Sequence, residues 1–177
     1  MGKHILEQHA LPVFFYGQSY LGALEAYCVA VSFAVFGVSM MALRAVPFAF
    51  SLALLAVVYR FARRFHSVGV ARWATALVAV SPMYFLQWNL KARGGFVEHV
   101  VLLFVVMILF WSFHLYRRRD AGTAFALGLA TGVALWVNQL VGAYVAVMGG
   151  LLLLEREDRR GWGVALAGLL LGSSLLV

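Results

Sequence analysis

The sequence predicts an all-α fold, a polytopic transmembrane helix bundle, and three observations support this prediction. Of the 177 residues, 64% are hydrophobic and 12% are charged, whereas an ordinary soluble domain has about 45–50% and about 25%. The mean hydropathy is +0.91, and the apolar residues form runs that approach the roughly 20 residues of a spanning helix. Basic residues flank these runs, as they do in membrane proteins.

Seven apolar runs follow one another along the chain, separated by short polar loops. They cover Leu21–Met41, Ala45–Phe61, Val70–Leu86, Val97–Tyr116, Thr123–Val137, Val141–Leu154 and Gly163–Val177. We expect about six of them to span the membrane, and the first to form an outer juxtamembrane helical segment.

The basic residues give the predicted helices an orientation. Ten of the 14 Lys and Arg residues lie at Arg72 or within residues 60–67, 116–122 and 155–163. Loops rich in Lys and Arg stay on the cytoplasmic side, so those three segments are predicted to lie inside. Counting helices from there places residues 82–99, PMYFLQWNLKARGGFVEH, on the outer side.

The first apolar run, Leu21–Met41, allows two interpretations. It either spans the membrane or lies in the outer interface, and its polar residues Glu25 and Ser32 favour the amphipathic, interfacial form. We therefore divide the chain into residues 1–44, an outer-face loop with juxtamembrane helices, and residues 45–177, a transmembrane helical module. The last apolar run has no polar exit, so we expect this module to be incomplete and the bundle to be truncated at both ends.

Composition also excludes several classes of protein. The net charge of +7 would suit a nucleic-acid partner, but the basic residues flank apolar runs instead of forming a basic soluble face. We therefore expect membrane lipids as surroundings and no nucleic-acid partner. The single cysteine, Cys28, excludes an intrachain disulfide framework.

The outer segment 82–99 carries the polar residues that most need an explanation. Arg93 runs against the usual charge bias, and the glycines at 94 and 95 allow a ligand to approach the backbone closely. An arginine suits a phosphate. Glu98 starts the next helix, where the dipole favours a carboxylate that suits a hydroxyl or a divalent cation. The alternative is plain anchoring, in which side chains such as Lys91 reach the headgroups.

A second dense patch is LPVFFYGQSYLGALEAY, residues 11–27. Its aromatic residues are typical of an interfacial belt. They also suit a wall that receives an amphipathic substrate, with aromatics such as Tyr20 against lipid or sugar and with Gln18 and Glu25 as hydrogen-bonding groups. Both interpretations stay open, and the cofactor is unknown beyond the divalent cation that Glu98 would suit.

The order of these motifs resembles the membrane-embedded C-type glycosyltransferases. The resemblance covers roughly residues 4–160 and is carried by PVFFYGQSYLGALEAY (12–27), FGVSMMALR (36–44) and ARGGFVE (92–98). It is strongest to the group of protein O-mannosyltransferases and the aminoarabinose transferase of lipid A. It implies transfer of a sugar, a hexose or a pentose, from a polyprenyl-phosphate-linked donor to a protein, lipid or glycan acceptor. The reaction would take place on the outer side of the cell's inner (plasma) membrane.

The resemblance also implies roles for particular residues. Glu98 matches the acidic residue that the second outer loop places near the active site, and Arg93 and Arg44 become contacts for the carrier phosphate. Lys91, Gln18, Tyr20 and Glu25 complete the expected substrate-binding set.

One feature of the family pattern is missing. The main catalytic aspartate of the family follows a first transmembrane helix, and the two aspartates of this chain, Asp120 and Asp158, both lie in predicted cytoplasmic loops. We therefore expect a fragment of the N-terminal module that is inactive alone.

Two other functions compete with this one. A transporter or channel subunit would carry charged or broken helices in mid-membrane, whereas the ionisable residues here lie at the ends of the runs. A non-catalytic scaffold would present small residues to partner helices, and the pairs Gly128/Gly132 and Gly168/Gly172 have that spacing.

Overall fold

A computed structural model describes residues 1–9, 11–83, 87, 90–115, 120–154 and 162–174 of the chain, and it is mostly helical. Its helices are α1 (Gly2–Gln8), α2 (Leu24–Phe36), α3 (Met40–Phe65), α4 (Val68–Ala79), α5 (Phe96–Leu115), α6 (Ala121–Val137), α7 (Val141–Leu154) and α8 (Trp162–Ser173). A short hairpin of β1 (Phe14–Phe15) and β2 (Gln18–Gly22) lies between α1 and α2. The basic clusters predicted at 117–119 and 156–160 lie outside the described residues.

The chain folds as two compact units, Met1–Val101 and Leu102–Val177. The first contains α1 to α4, the hairpin and the start of α5, and the second contains the remainder. The division predicted at residue 44 concerns placement in a membrane and stays a prediction.

Two of the described helices are long and apolar enough to cross a membrane. These are α3, with 26 residues and a mean hydropathy of 2.1, and α5, with 20 residues and a mean hydropathy of 2.3. The other apolar helices are shorter, with 13 residues in α2, 12 in α4, 17 in α6, 14 in α7 and 12 in α8. The predicted helical character is therefore confirmed, while six spans go beyond what these lengths establish.

The all-α prediction is wrong at residues 14–22, which form an antiparallel hairpin. Phe15 pairs with Gln18 across a turn in which Gly17 has a φ of +76°, a backbone conformation that glycine adopts without strain. Aromatic side chains favour strands, and the FFYGQSY sequence combines them with this turn. The Ala23 N–H donates to the Val13 carbonyl at 3.2 Å, which ties the hairpin to the start of α2.

A capped junction joins α2 to α3. Gly37 ends α2 with a φ of +77°, and the Ser39 side chain accepts a hydrogen bond from the Ala42 N–H at 3.1 Å to begin α3. The buried Ser32 hydroxyl donates to the Ala42 carbonyl at 2.7 Å. Because of this cap, α3 begins before Ala45, where the apolar run starts, and Arg44 lies within the helix. At 1.5 Å per residue α2 is only about 20 Å long, which is compatible with an interfacial position.

The second unit is built on close contact between α6 and α8. A Cβ placed on Gly128 would lie 1.9 Å from the Ala165 carbonyl oxygen, and one placed on Gly132 would lie 2.7 Å from the Gly172 Cα. Only glycine therefore allows these two backbones to approach so closely. The glycine pairs that a scaffold would offer to partners contact each other within the chain.

Candidate functional site

The first unit contains an open groove of about 670 Å³ between the start of α3 and the segment that precedes α5. Its walls are mostly apolar, and Arg44, Lys91 and Gln87 are its polar residues. The described residues that line it are Met41, Arg44, Ala45, Phe48, Met83, Gln87, Leu90 and Lys91. The groove therefore combines a lipid-like wall with cationic and hydrogen-bonding groups.

The positions of Arg44 and Lys91 follow from local structure. Arg44 lies three residues after Met41 and four before Phe48, a spacing that brings the three side chains to one face of a helix. Lys91 directly follows Leu90 and precedes the two glycines of the next turn. Both cations are exposed, and neither forms an ion pair with another residue that the structure describes. They are therefore available to an anion.

A second cluster lies in the same unit and is buried. Glu25 of α2 is 3% exposed and Glu98 of α5 is 1% exposed. Glu25 accepts a hydrogen bond from the Gly94 N–H through Oε2. The Oε1 atoms of Glu25 and Glu98 are buried and find no hydrogen-bond partner among the described residues. Sequence analysis selects both carboxylates but gives no reason to expect them together.

Burial and mutual repulsion alter the acidity of this cluster. The pKa of Glu25 rises from 4.5 to about 8, mainly because burial disfavours the charged form and secondarily because the Glu98 carboxylate lies nearby; the Gly94 N–H opposes the change. At neutral pH Glu25 is therefore largely protonated. Cys28 lies one helical turn beyond Glu25, and the pKa of its thiol is raised mainly by burial and then by the charges of Glu98 and Glu25.

The glycine turn joins the two clusters along the chain. Gly94 and Gly95 have φ values of +80° and +68°, in the region that favours glycine. A Cβ on Gly94 would lie only 2.9 Å from the Cδ2 atom of Phe15 in the hairpin. The His99 Nδ1–H donates to the Gly95 carbonyl at 2.8 Å, which fixes the turn to the first residues of α5.

Three further residues predicted to bind substrate lie outside the set that lines the groove. Arg93 is exposed and lies in the glycine turn, outside the set of residues that line the groove. Tyr20 is 52% exposed on β2. The Gln18 Oε1 atom is buried without a hydrogen-bond partner among the described residues. The predicted site residues therefore fall into two sites, the groove with its cations and the buried carboxylates.

One of the two aspartates has a structural role, and the described residues do not form a metal site. Asp120 caps α6, since its carboxylate accepts hydrogen bonds from the Thr123 N–H and hydroxyl, each at 2.9 Å; Asp158 lies outside the described residues. Within the described ranges no group of three or more His, Cys, Asp or Glu side chains could hold a metal ion. The cation suggested for Glu98 stays a prediction.

Sequence analysis missed several residues that shape these sites. Phe15 and Gly94 are in contact only because the hairpin folds against the glycine turn, and no local sequence pattern predicts that contact. Gln87 of the groove has a weak signal, because it lies four residues after Met83 and four before Lys91. The helical spacing of Met41, Arg44 and Phe48 was a signal that could have identified the groove wall.

The described residues form a mostly helical protein, in which two helices are long and apolar enough to cross a membrane and one unit contains a cationic, apolar-walled groove. Comparison with family models, curated proteins and solved structures finds no match to this chain.

Proposed function

We propose that this chain binds the polyprenyl-phosphate-linked sugar donor of a C-type membrane glycosyltransferase and serves transfer of that sugar to an acceptor. The observation that carries the proposal is the groove in which Arg44 and Lys91 lie among Met41, Phe48 and Leu90. A polyprenyl phosphate has an anionic head and an apolar tail, and the groove offers a partner to each. Met41 belongs to the first turn of α3, where the helix dipole also favours an anion.

The proposal includes a membrane setting. The chain is a multi-pass protein of the inner (plasma) membrane, with about six spanning helices, α2 in the outer interface, and the groove facing outward. The length and hydropathy of α3 and α5 support membrane insertion. The basic clusters at the ends of the apolar runs support the orientation.

The chemistry follows from the donor. In sugar transfer the acceptor hydroxyl oxygen forms a bond to the anomeric carbon while the bond from that carbon to the phosphate oxygen breaks, and negative charge develops on the departing lipid phosphate. Arg44 and Lys91 would stabilise that charge, and a carboxylate would accept the proton of the acceptor hydroxyl. On the resemblance, Glu98 holds the acidic position near the reacting centre. The acceptor is a protein, a lipid or a glycan.

The test measures donor binding to the 177-residue chain in lipid nanodiscs, with farnesyl phosphate as the probe. Arg44→Ala and Lys91→Ala should each weaken binding about tenfold, since each removes a charge-assisted contact worth ~1.4 kcal/mol. Arg63→Ala is the matched control, because Arg63 is an exposed arginine on the same helix outside the groove. Equal affinities for all three variants and the wild type would refute the proposal.

A further inference from the structure

The turn that carries Lys91 and Arg93 is held from two sides by residues distant in sequence. The Gly94 N–H donates to Oε2 of Glu25, 69 residues earlier in the chain. On another side the Phe15 ring packs so closely that a Cβ on Gly94 would lie 2.9 Å from it. Gly94 is itself buried. The turn is therefore enclosed by the hairpin and by α2.

These contacts do not suit the role of substrate contact that the sequence suggests for Glu25. The side chain is 3% exposed, and its Oε2 atom is already engaged by the backbone of the turn. The exposed cation Lys91, by contrast, lies three residues before Gly94 and lines the groove. Glu25 can therefore affect the groove through the backbone that connects them.

We propose that Glu25 and Phe15 are positioning residues, which fix the 91–95 turn and thereby hold Lys91 at the groove. This inference rests on the proposed function for the meaning of the groove, but the fixing of the turn can be measured without any ligand. The carboxyl of Glu25 serves as a hydrogen-bond acceptor for Gly94, not as a charge that the substrate contacts.

The Gln and Ala variants of Glu25 separate these two roles. In Glu25→Gln the amide oxygen can still accept a hydrogen bond from the Gly94 N–H. In Glu25→Ala the acceptor is lost and the Gly94 N–H is left buried. A residue that acts by charge or by proton transfer would fail in both variants, whereas a positioning residue is rescued by Gln.

The experiment uses the full chain in nanodiscs and follows amide hydrogen exchange of the segment 90–96, followed by farnesyl phosphate binding. Glu25→Ala should accelerate exchange in this segment about tenfold, because the turn opens locally. The same variant should weaken farnesyl phosphate binding about fivefold, since Lys91 is no longer held in place. Glu25→Gln should keep both values within about twofold of the wild type.

Two further variants keep the test decisive. Phe15→Ala removes the ring beneath Gly94 and leaves Glu25 in place, so it should also accelerate exchange at 90–96. Ser32→Ala is the control for a lost buried hydrogen bond elsewhere on α2, and it should leave exchange at 90–96 unchanged. Wild-type exchange in both Glu25→Ala and Phe15→Ala, or equally fast exchange in Glu25→Gln and Glu25→Ala, would overturn the inference.

The failure of the proposed function gives a different result. If wild-type protein does not bind farnesyl phosphate, the groove is not a lipid-phosphate site, and Lys91 does not have the proposed role of binding the phosphate. The exchange data still decide separately whether Glu25 and Phe15 fix the turn.

Discussion

Within each of the two compact units of this chain, a different kind of close contact stands out. In Met1–Val101, side chains contact segments that are distant in sequence. Glu25, for example, accepts a hydrogen bond from the Gly94 N–H. In Leu102–Val177, the backbones of α6 and α8 approach closely at their glycines. A core of apolar side chains that includes Phe110, Leu127 and Val141 completes the packing of this unit. Every candidate site residue belongs to the first unit.

This difference indicates that the first unit contains the proposed binding site and that the second contributes mainly to stability. Polar groups buried in the first unit cost stability unless they are paired, and Glu25 is paired with the backbone of the turn that follows Lys91. The second unit contains close helix contacts of the kind that stabilise helices in lipid. Substitutions in the second unit should therefore affect stability, and those in the groove should affect binding.

The largest effect is expected at the contact between α6 and α8. Gly128→Ala places a methyl group 1.9 Å from the Ala165 carbonyl oxygen, and a backbone atom cannot move aside as a side chain does. We expect a loss of ~3 kcal/mol in the free energy of unfolding, measured by thermal unfolding in detergent micelles. Gly149→Ala is the control, because a Cβ on Gly149 in α7 would meet no atom of the described residues within 4 Å. Equal melting temperatures would show that the helices do not touch there.

A smaller loss is expected in the first unit at Gly94. Gly94→Ala forces alanine into a φ of +80° and against the Phe15 ring, for a combined cost of ~2 kcal/mol. Gly17→Ala is the matched variant, because Gly17 has a φ of +76° but a Cβ added there would lie more than 4 Å from every atom in the part of the chain that the structure describes. It should cost only ~1 kcal/mol. Equal melting temperatures for Gly94→Ala and Gly17→Ala would show that the contact with Phe15 does not contribute to the loss of stability.

A pH effect sharpens the comparison further. Between pH 4.5 and about 8 the folded chain keeps the Glu25 proton that the unfolded chain releases. The contribution of Glu25 is therefore complete below pH 4.5, falls by at most ~1.4 kcal/mol per pH unit as the pH rises, and is lost above about 8. The melting temperature of Glu25→Gln should therefore fall less steeply over this pH range than that of the wild type. An identical pH profile in both proteins would contradict a buried, protonated Glu25.

The sequence predicts several helices well because lipid-facing and buried helices share long apolar runs, but the run Val70–Leu86 extends beyond α4, which ends at Ala79. The run Val141–Leu154 coincides with α7, and Val97–Tyr116 differs from α5 by one residue at each end. The start of α3 is less well predicted, since the Ser39 cap extends it beyond the apolar run. The hairpin is missed because the aromatic residues of 11–27 suit both a membrane interface and a strand.

The candidate site is only partly predictable for a different reason. Arg44, Lys91, Glu25 and Glu98 stand out as individual residues, because charge is rare in so apolar a chain. Their grouping depends on contacts between segments far apart in sequence, which a single sequence does not encode in any local pattern. The sequence therefore points to the individual residues but predicts that Glu98 contacts a hydroxyl or a divalent cation, whereas its side chain is 1% exposed.

The central claim is that the groove of the first unit binds a lipid phosphate, and the most direct measurement compares farnesyl phosphate with farnesol on the wild-type chain in nanodiscs. The two probes share the same apolar tail and differ in the anionic head. We predict that farnesyl phosphate binds at least about tenfold more tightly, and that a photoreactive analogue labels peptides containing Met41, Arg44 or Lys91. Equal affinities, or labelling confined to the second unit, would contradict the account.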